Sequence, residues 1–263
     1  MKAKKSLGQH FLKSEKALRS IVSAGDVNAD DVVLEIGPGR GELTSRLMLL
    51  GGKVIAVEKD DMLERFLREK YKEEIKENHL DLVHGDILEF DPNLLKFYKE
   101  FSYKLIANIP YNITGAILRK FLSADYQPEL MVLLVQKEVA ERIVTRDGKE
   151  SILSLSIKAY GEPRFIETVK AGSFAPAPKV DSAILLIENI SKKFFQDFSE
   201  KDFFKLVQTG FKSKRKKLSS NLATVYPKEK IISIFEELKV NSNVRAEDLA
   251  LKDWKELSKR LFN

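Results

Sequence analysis

The stretch that most constrains this chain is Glu35-Ile36-Gly37-Pro38-Gly39-Arg40-Gly41. The apolar run Val32, Val33 and Leu34 precedes it and reads as a buried strand, and Glu42-Leu43-Thr44-Ser45-Arg46-Leu47 follows as the start of a helix. A glycine-rich turn between strand and helix lets backbone approach a ligand where a side chain would collide. The spacing argues against a nicotinamide dinucleotide, whose fingerprint needs glycine at the first, third and sixth positions. Here the glycines stand first, third and fifth, and the sixth position is Glu42. The acid at Glu35, ahead of the glycines, suits a cationic ligand better than a pyrophosphate.

Three further strands end in polar residues. Residues 53–57 lead to Glu58, 19 residues after Gly39, near the offset of about 20 at which an acid meets ribose hydroxyls in nucleotide-binding α/β folds. Residues 80–84 lead to Gly85-Asp86, and residues 103–107 lead to Asn108-Ile109-Pro110-Tyr111. Ligands bind at the carboxyl ends of strands in open α/β sheets, so this repeated placement predicts one shared site. Strand and helix alternate over residues 32–136, which predicts a mostly parallel sheet covered by helices on both faces. The charged segment 62–77 reads as one solvated helix. Residues 164–171 and 183–188 are strand-like with no crossover helix between them, which predicts an antiparallel end to the sheet. In the loop joining them, Pro176 and Pro178 enforce a stiff, extended path. Phe174 in that loop reads equally well as a fixed platform or as ordinary core. From residue 190 the spacing becomes helical, over 203–211, 218–224, 231–238 and 254–261. The expected architecture is thus an α/β domain, residues 1–189, and a small all-α domain, residues 190–263.

Composition narrows the chemistry. Cysteine is absent, which excludes disulfides, thiolate metal sites and cysteine nucleophiles. The histidines are His10, His79 and His84, and no metal-ligand spacing joins them, so no metal is expected. His10 reads as a ligand or base, or as a polar lining residue. No apolar run is long enough to span a membrane, and none follows the basic residues 1–5 as a signal peptide requires; a cytoplasmic protein with no membrane partner is expected. The net charge of +6 is unevenly spread: residues 1–188 carry 28 basic and 29 acidic side chains, residues 189–263 carry 17 and 10, and residues 1–20 carry six and one. Such a distribution suits an enzyme body with cationic contacts to a polyanion. Lys212, Lys214, Arg215, Lys216 and Lys217, with no acid among them, are the candidate phosphate contacts.

Asn108-Ile109-Pro110-Tyr111 is the most informative stretch chemically. The asparagine oxygen can accept one N–H of an exocyclic amine, and the carbonyl of Ile109 or Pro110 can accept the second. Tyr111 offers a flat surface for the base that carries the amine. Adenine N6 is a poor nucleophile because its lone pair is delocalised into the ring. Two acceptors pull its hydrogens out of plane and aim the lone pair at an electrophile, a positioning effect that removes up to roughly 7–11 kcal/mol of barrier.

With these residues in view, the chain resembles the ribosomal RNA adenine N6 dimethyltransferases of the KsgA/RsmA family nearly end to end. The resemblance lies in Gln9-His10-Phe11-Leu12, the glycine loop, Glu58, Asp86, Asn108-Ile109-Pro110-Tyr111 and the run from Phe174 to Ser182. It extends to Phe211-Lys212-Ser213-Lys214-Arg215-Lys216-Lys217-Leu218 and Arg245-Ala246-Glu247-Asp248-Leu249. His10 departs from the asparagine that many relatives carry. The resemblance implies a Rossmann-like methyltransferase domain that uses S-adenosylmethionine. It places Gly37 under the methionine part of the donor, Glu58 on the ribose hydroxyls and Asp86 on the adenine amine, with His10 and Leu12 closing over it. Asn108 and Pro110 would hold the target amine, and Tyr111 and Phe174 would stack on the target base. The implied reaction is double methylation of two adjacent adenosines near the 3′ end of small-subunit rRNA, in a partly assembled subunit, by a monomer. The rivals are an erythromycin-resistance methylase of large-subunit rRNA and a non-catalytic RNA-binding or transcription factor on the same fold. Asp181 after Lys179-Val180, and the Arg245–Leu249 stretch, favour the small-subunit enzyme.

Overall fold

The computed structural model describes residues 4, 7–50, 52–98, 102–145 and 147–262. Of the basic arm at residues 2–6, only Lys4 falls among the described residues. The chain divides into two compact units: Met1–Ala140 with Glu162–Ile190, and Glu141–Gly161 with Ser191–Asn263.

The first unit begins with β1 (Phe11–Leu12) and α1 (Glu15–Gly25). There follow β2 (Val32–Ile36), α2 (Glu42–Leu49), β3 (Lys53–Glu58), α3 (Asp61–Lys70), α4 (Lys72–Lys76) and β4 (Leu80–His84). Next come β5 (Lys104–Asn108), α5 (Thr114–Leu122), β6 (Leu130–Gln136), β7 (Glu162–Val169), β8 (Phe174–Ala175) and β9 (Ser182–Glu188). Seven strands form one sheet in the order β4-β3-β2-β5-β6-β9-β7. The first five are parallel, and β9 runs antiparallel to both β6 and β7, as the missing crossover helix predicts. The central strand β2 is buried at every position, as a strand covered on both faces must be. The edge strand β7 instead alternates in exposure along most of its length.

From β2 the chain builds outward to β3 and β4, then returns to the other side of β2 as β5. The crevice where strand order reverses is the usual ligand site of such sheets. Here it separates the loop after β2, which carries the glycines, from the loop after β5, which carries Asn108.

The segment 62–77 is not one helix. It breaks at Tyr71, whose ring turns inward and donates its hydroxyl to the carbonyl of Gly41 at 2.6 Å. Nor is it solvated all round, since Leu63 and Leu67 are buried beneath it. Gly41, at φ +80°, leaves the space Tyr71 uses: a Cβ there would lie 2.5 Å from the phenolic oxygen.

The second unit contains α7 (Ile152–Lys158), α8 (Glu200–Gly210), α9 (Leu218–Leu222), α10 (Lys228–Glu237) and α11 (Leu251–Phe262); α6 (Lys137–Ile143) leads into it from the first. Leu155 and Ala159 join its core with Phe203, Leu218, Phe235 and Trp254, so residues 141–161 pack with the helical part although the sequence division assigns them to the α/β domain. The break at 211–217 is stapled from within. Buried Asn221 donates its amide to the carbonyls of Gly210, at 2.6 Å, and Ser213, at 3.0 Å. Phe211 stacks on Trp254 with ring centroids 5.9 Å apart.

Candidate functional site

The cleft at the carboxyl ends of β2, β3, β4 and β5 is lined by residues 35–40, 57–59, 85–88 and 108–113, with residues 7–12 forming a strap along it. The structure thus brings His10, Leu12, Gly37, Glu58, Asp86, Asn108, Pro110 and Tyr111 to one place.

The glycine loop forms the floor. Gly37 takes φ +63°, and nothing lies within 4 Å of where its Cβ would be, so the space above it is open. Glu58, at the end of β3, is 5% exposed. Its two oxygens accept the backbone N–H of Gly39, at 3.1 Å, and of Asp60, at 2.9 Å, which fixes the carboxyl against the glycine loop. Burial pushes its pKa up, outweighing those two hydrogen bonds. Glu35 lies deeper, 1% exposed, and burial pushes it to about 8. Asp86 is held in an ion pair with Lys59 at 2.6 Å and accepts the N–H of Leu88 at 2.9 Å; Lys59 keeps its carboxyl below the usual range.

The strap is anchored at several points. β1 pairs antiparallel with β8. Gln9 and Lys4 donate to Asp60, the N-cap of α3, at 3.1 and 3.0 Å. Burial opposes the charge on Asp60, but these partners outweigh it and hold its pKa below the usual range. His10 Nδ1 donates to the carbonyl of Pro176 at 2.8 Å, since a carbonyl can only accept. Arg40 lies over the Phe11 ring at 4.8 Å.

The strap also sets the target side. Asn108 Nδ2 donates to the backbone carbonyl of His10 at 3.0 Å. That contact settles which end of the amide is which, because a carbonyl oxygen would repel Oδ1. Oδ1 is thereby left to accept. Tyr111 is anchored through its hydroxyl to the buried Ser182 Oγ at 2.5 Å, and its ring stacks with His10 at a centroid distance of 5.9 Å.

Two groups of sequence candidates stand elsewhere. Phe174 does not line the cleft: it is 3% exposed, within β8 and the main core, so of its two readings the structure has the core one. Lys212, Lys214, Arg215, Lys216 and Lys217 belong to the second unit. All five are exposed, and none forms a salt bridge among the described residues. Sequence reasoning passed over Asp60, Ser182 and the burial of Glu35. Ser182 lay within the run already singled out, but only the fold reveals that β9 starts beneath Tyr111. No cluster of three or more metal-ligating side chains occurs among the described residues. No helix among them is long and apolar enough to cross a membrane.

The family model described as ribosomal RNA adenine dimethylase matches residues 1–262. Ribosomal RNA small subunit methyltransferase A of Dehalococcoides mccartyi strain CBDB1 is 43% identical over 259 residues, covering 98% of this chain and 88% of that protein. The protein of the same name from Trichormus variabilis is 40% identical over 271 residues, covering 99% and 98%. Among solved structures, a dimethyladenosine transferase from Plasmodium falciparum superposes with a TM-score of 0.79 at 27% identity, covering 94% of this chain and 96% of that one. The 23S rRNA methyltransferase ErmE superposes with 0.76 at 26% identity, covering 96% and 100%.

Proposed function

Because this chain belongs to the ribosomal RNA adenine dimethylase family, it is an rRNA methyltransferase, and we propose that it dimethylates N6 of two adjacent adenosines near the 3′ end of small-subunit rRNA. The substrate is a partly assembled small ribosomal subunit in the cytoplasm, and the methyl donor is S-adenosylmethionine. The cleft's residues fit that donor: open space over Gly37, a fixed carboxyl at Glu58 and a second acid at Glu35 suit a cationic nucleoside. Glu58 would accept the ribose hydroxyls, Asp86 the adenine amine, and Leu12 and His10 would cover the donor. When bound, the donor supplies an electrophilic methyl group on a sulfonium.

The observation that carries the reading is the fixed amide of Asn108. Its Oδ1 would accept one hydrogen of the target amine, and the carbonyl of Ile109 or Pro110 the other, so the hydrogens are drawn out of the ring plane and the N6 lone pair out of conjugation. Tyr111, held by Ser182, would support the base. As the N–C bond forms, the amine becomes cationic and these acceptors bind it more tightly, which is the condition for lowering the barrier. The five cations of residues 212–217 would hold phosphates, contributing affinity without sequence preference.

The test is mass-spectrometric mapping of methylated adenosines after the protein and donor are incubated with small- and large-subunit precursors purified from a strain lacking this enzyme. Two adjacent dimethyladenosines in the small-subunit RNA are expected. Methylation confined to large-subunit RNA would assign the chain to the resistance-methylase activity instead, the reading the likeness to ErmE favours. Donor binding without any methyl transfer would make it a non-catalytic factor.

A further inference from the structure

We propose that Glu35 carries a proton in the donor-free protein, and that arrival of the cationic methyl donor expels that proton to solvent. The inference rests on the S-adenosylmethionine assignment above.

Glu35 stands near the end of β2, lines the cleft and is 1% exposed. Among the described residues its Oε2 has no hydrogen-bond partner. Thr44 on α2 lies close enough to favour the charged form, yet its Oγ1 completes no well-formed hydrogen bond either. The other titratable groups facing Glu35 are Glu58 from β3 and Tyr71 from the end of α3. Neither is a cation, and among the described residues no lysine, arginine or histidine pairs with Glu35 or Glu58. A buried carboxylate without a counter-charge takes up a proton rather than remain ionised, and a second carboxylate beside it strengthens that tendency. The elevated pKa, about 8, agrees with this picture.

S-adenosylmethionine carries a sulfonium, an ammonium and a carboxylate, a net charge of +1. Its arrival supplies the positive charge the two acids lack, so the ionised form of Glu35 becomes the favoured one. In the methyl transfer the C–S bonding pair stays on sulfur and the product sulfur is neutral. The positive charge passes to the methylated N6, which releases one proton to solvent and becomes neutral. The cleft has then lost one positive charge, and Glu35 takes a proton back from solvent. Glu35 thus tunes the cleft to the charge of the substrate form over that of the spent form.

The experiment is titration calorimetry of S-adenosylmethionine into the full-length protein at pH 7, in buffers of different ionisation enthalpy. A group with a pKa of about 8 is roughly nine-tenths protonated at pH 7, so release of close to one proton per donor is expected. Donor affinity should rise about tenfold from pH 6 to pH 7 and level off above pH 8, as linkage of one proton requires. S-adenosylhomocysteine, with no sulfonium, should release less. Glu35→Gln should abolish the release and flatten the pH profile. Glu58→Gln should weaken binding while the release persists. Heats that do not vary with buffer in the wild type, or a Glu35→Gln protein that still releases a proton, would overturn the proposal. If Glu35→Gln does not fold, the wild-type buffer series, the pH profile and Glu58→Gln decide it. Absence of donor binding at any pH would instead strike down the donor assignment beneath it.

Discussion

Replacing Asn108 by alanine separates catalysis from binding. Among the described residues the amide makes one hydrogen bond, to the His10 carbonyl at 3.0 Å, and it offers its oxygen to the target amine. In the ground state that second contact is a neutral hydrogen bond, worth about 0.5–1.5 kcal/mol; as N6 turns cationic it becomes charge-assisted, about 1.5–3 kcal/mol. Only the difference, about 1–2 kcal/mol, falls on the chemical step, a factor of roughly five to thirty. Loss of aim adds to it, since misplacement by about 1 Å costs on the order of a hundredfold. The expected single-turnover rate at saturating donor and RNA is therefore lower by roughly five-hundred- to three-thousandfold, with RNA affinity little changed. Asn108→Asp supplies a second arm. Once protonated, the introduced carboxyl donates to the His10 carbonyl and keeps an oxygen for the amine, whereas the carboxylate cannot donate. Its activity should rise as pH falls. A single-turnover rate for Asn108→Ala within threefold of wild type would refute the positioning argument.

Glu58→Gln should weaken donor binding by about tenfold or more, since hydrogen bonds to a charged acceptor contribute about 1.5–3 kcal/mol; calorimetry measures it. The same change should flatten the fall of thermal stability with rising pH, while giving up one of the two backbone hydrogen bonds, since an amide has a single acceptor oxygen. Because burial raises the folded-state pKa of Glu58, the folded protein binds its proton more tightly than the unfolded chain does. Stability is then lost as pH rises from the ordinary carboxylate range through that raised pKa, and the amide escapes this loss. Replacing Lys214, Arg215 and Lys216 together by alanine should weaken RNA binding and flatten its salt dependence by about two to three units of log–log slope, with donor affinity unchanged. Parallel salt lines for the two proteins would make the stretch a solvated surface. Ser182→Ala should leave the donor affinity alone and lower the methylation rate about three- to tenfold, the worth of one modest hydrogen bond to Tyr111; an unchanged rate would mean the ring needs no anchor.

Elements with a clean period were legible in the sequence. β2 and β6 are nearly unbroken apolar runs because both faces are covered, and residues 114–122 form the expected helix. The reversal between β7 and β9 was legible because the residues between them leave no room for a crossover helix. The break at Tyr71 was not, since it depends on a hydroxyl reaching a carbonyl 30 residues away. Strand-end acids gave the cleft, because chain direction alone places them at one edge. Phe174 could not be decided from composition: an aromatic between a serine and an alanine looks the same whether it pairs with Leu12 in a two-stranded ribbon or faces solvent. The role of α7 in the helical unit was equally hidden, because a short apolar run beside an α/β domain carries no mark of which core it joins.

The contact between Asn108 and the main chain of His10 bears on how this protein can change over generations. What Asn108 requires from position 10 is a carbonyl, which every amino acid provides. The side chain there supplies an N–H to the Pro176 carbonyl, which asparagine offers as readily as histidine, and a ring against Tyr111, which asparagine gives up. Residue identity at this position is therefore open to drift, while its distance along the strap is not. One inserted or deleted residue between Asp60's partner Gln9 and the β1–β8 pair would turn that carbonyl away, however conservative the surrounding sequence. Point variation at position 10 should be tolerated where a single-codon length change is lethal to activity.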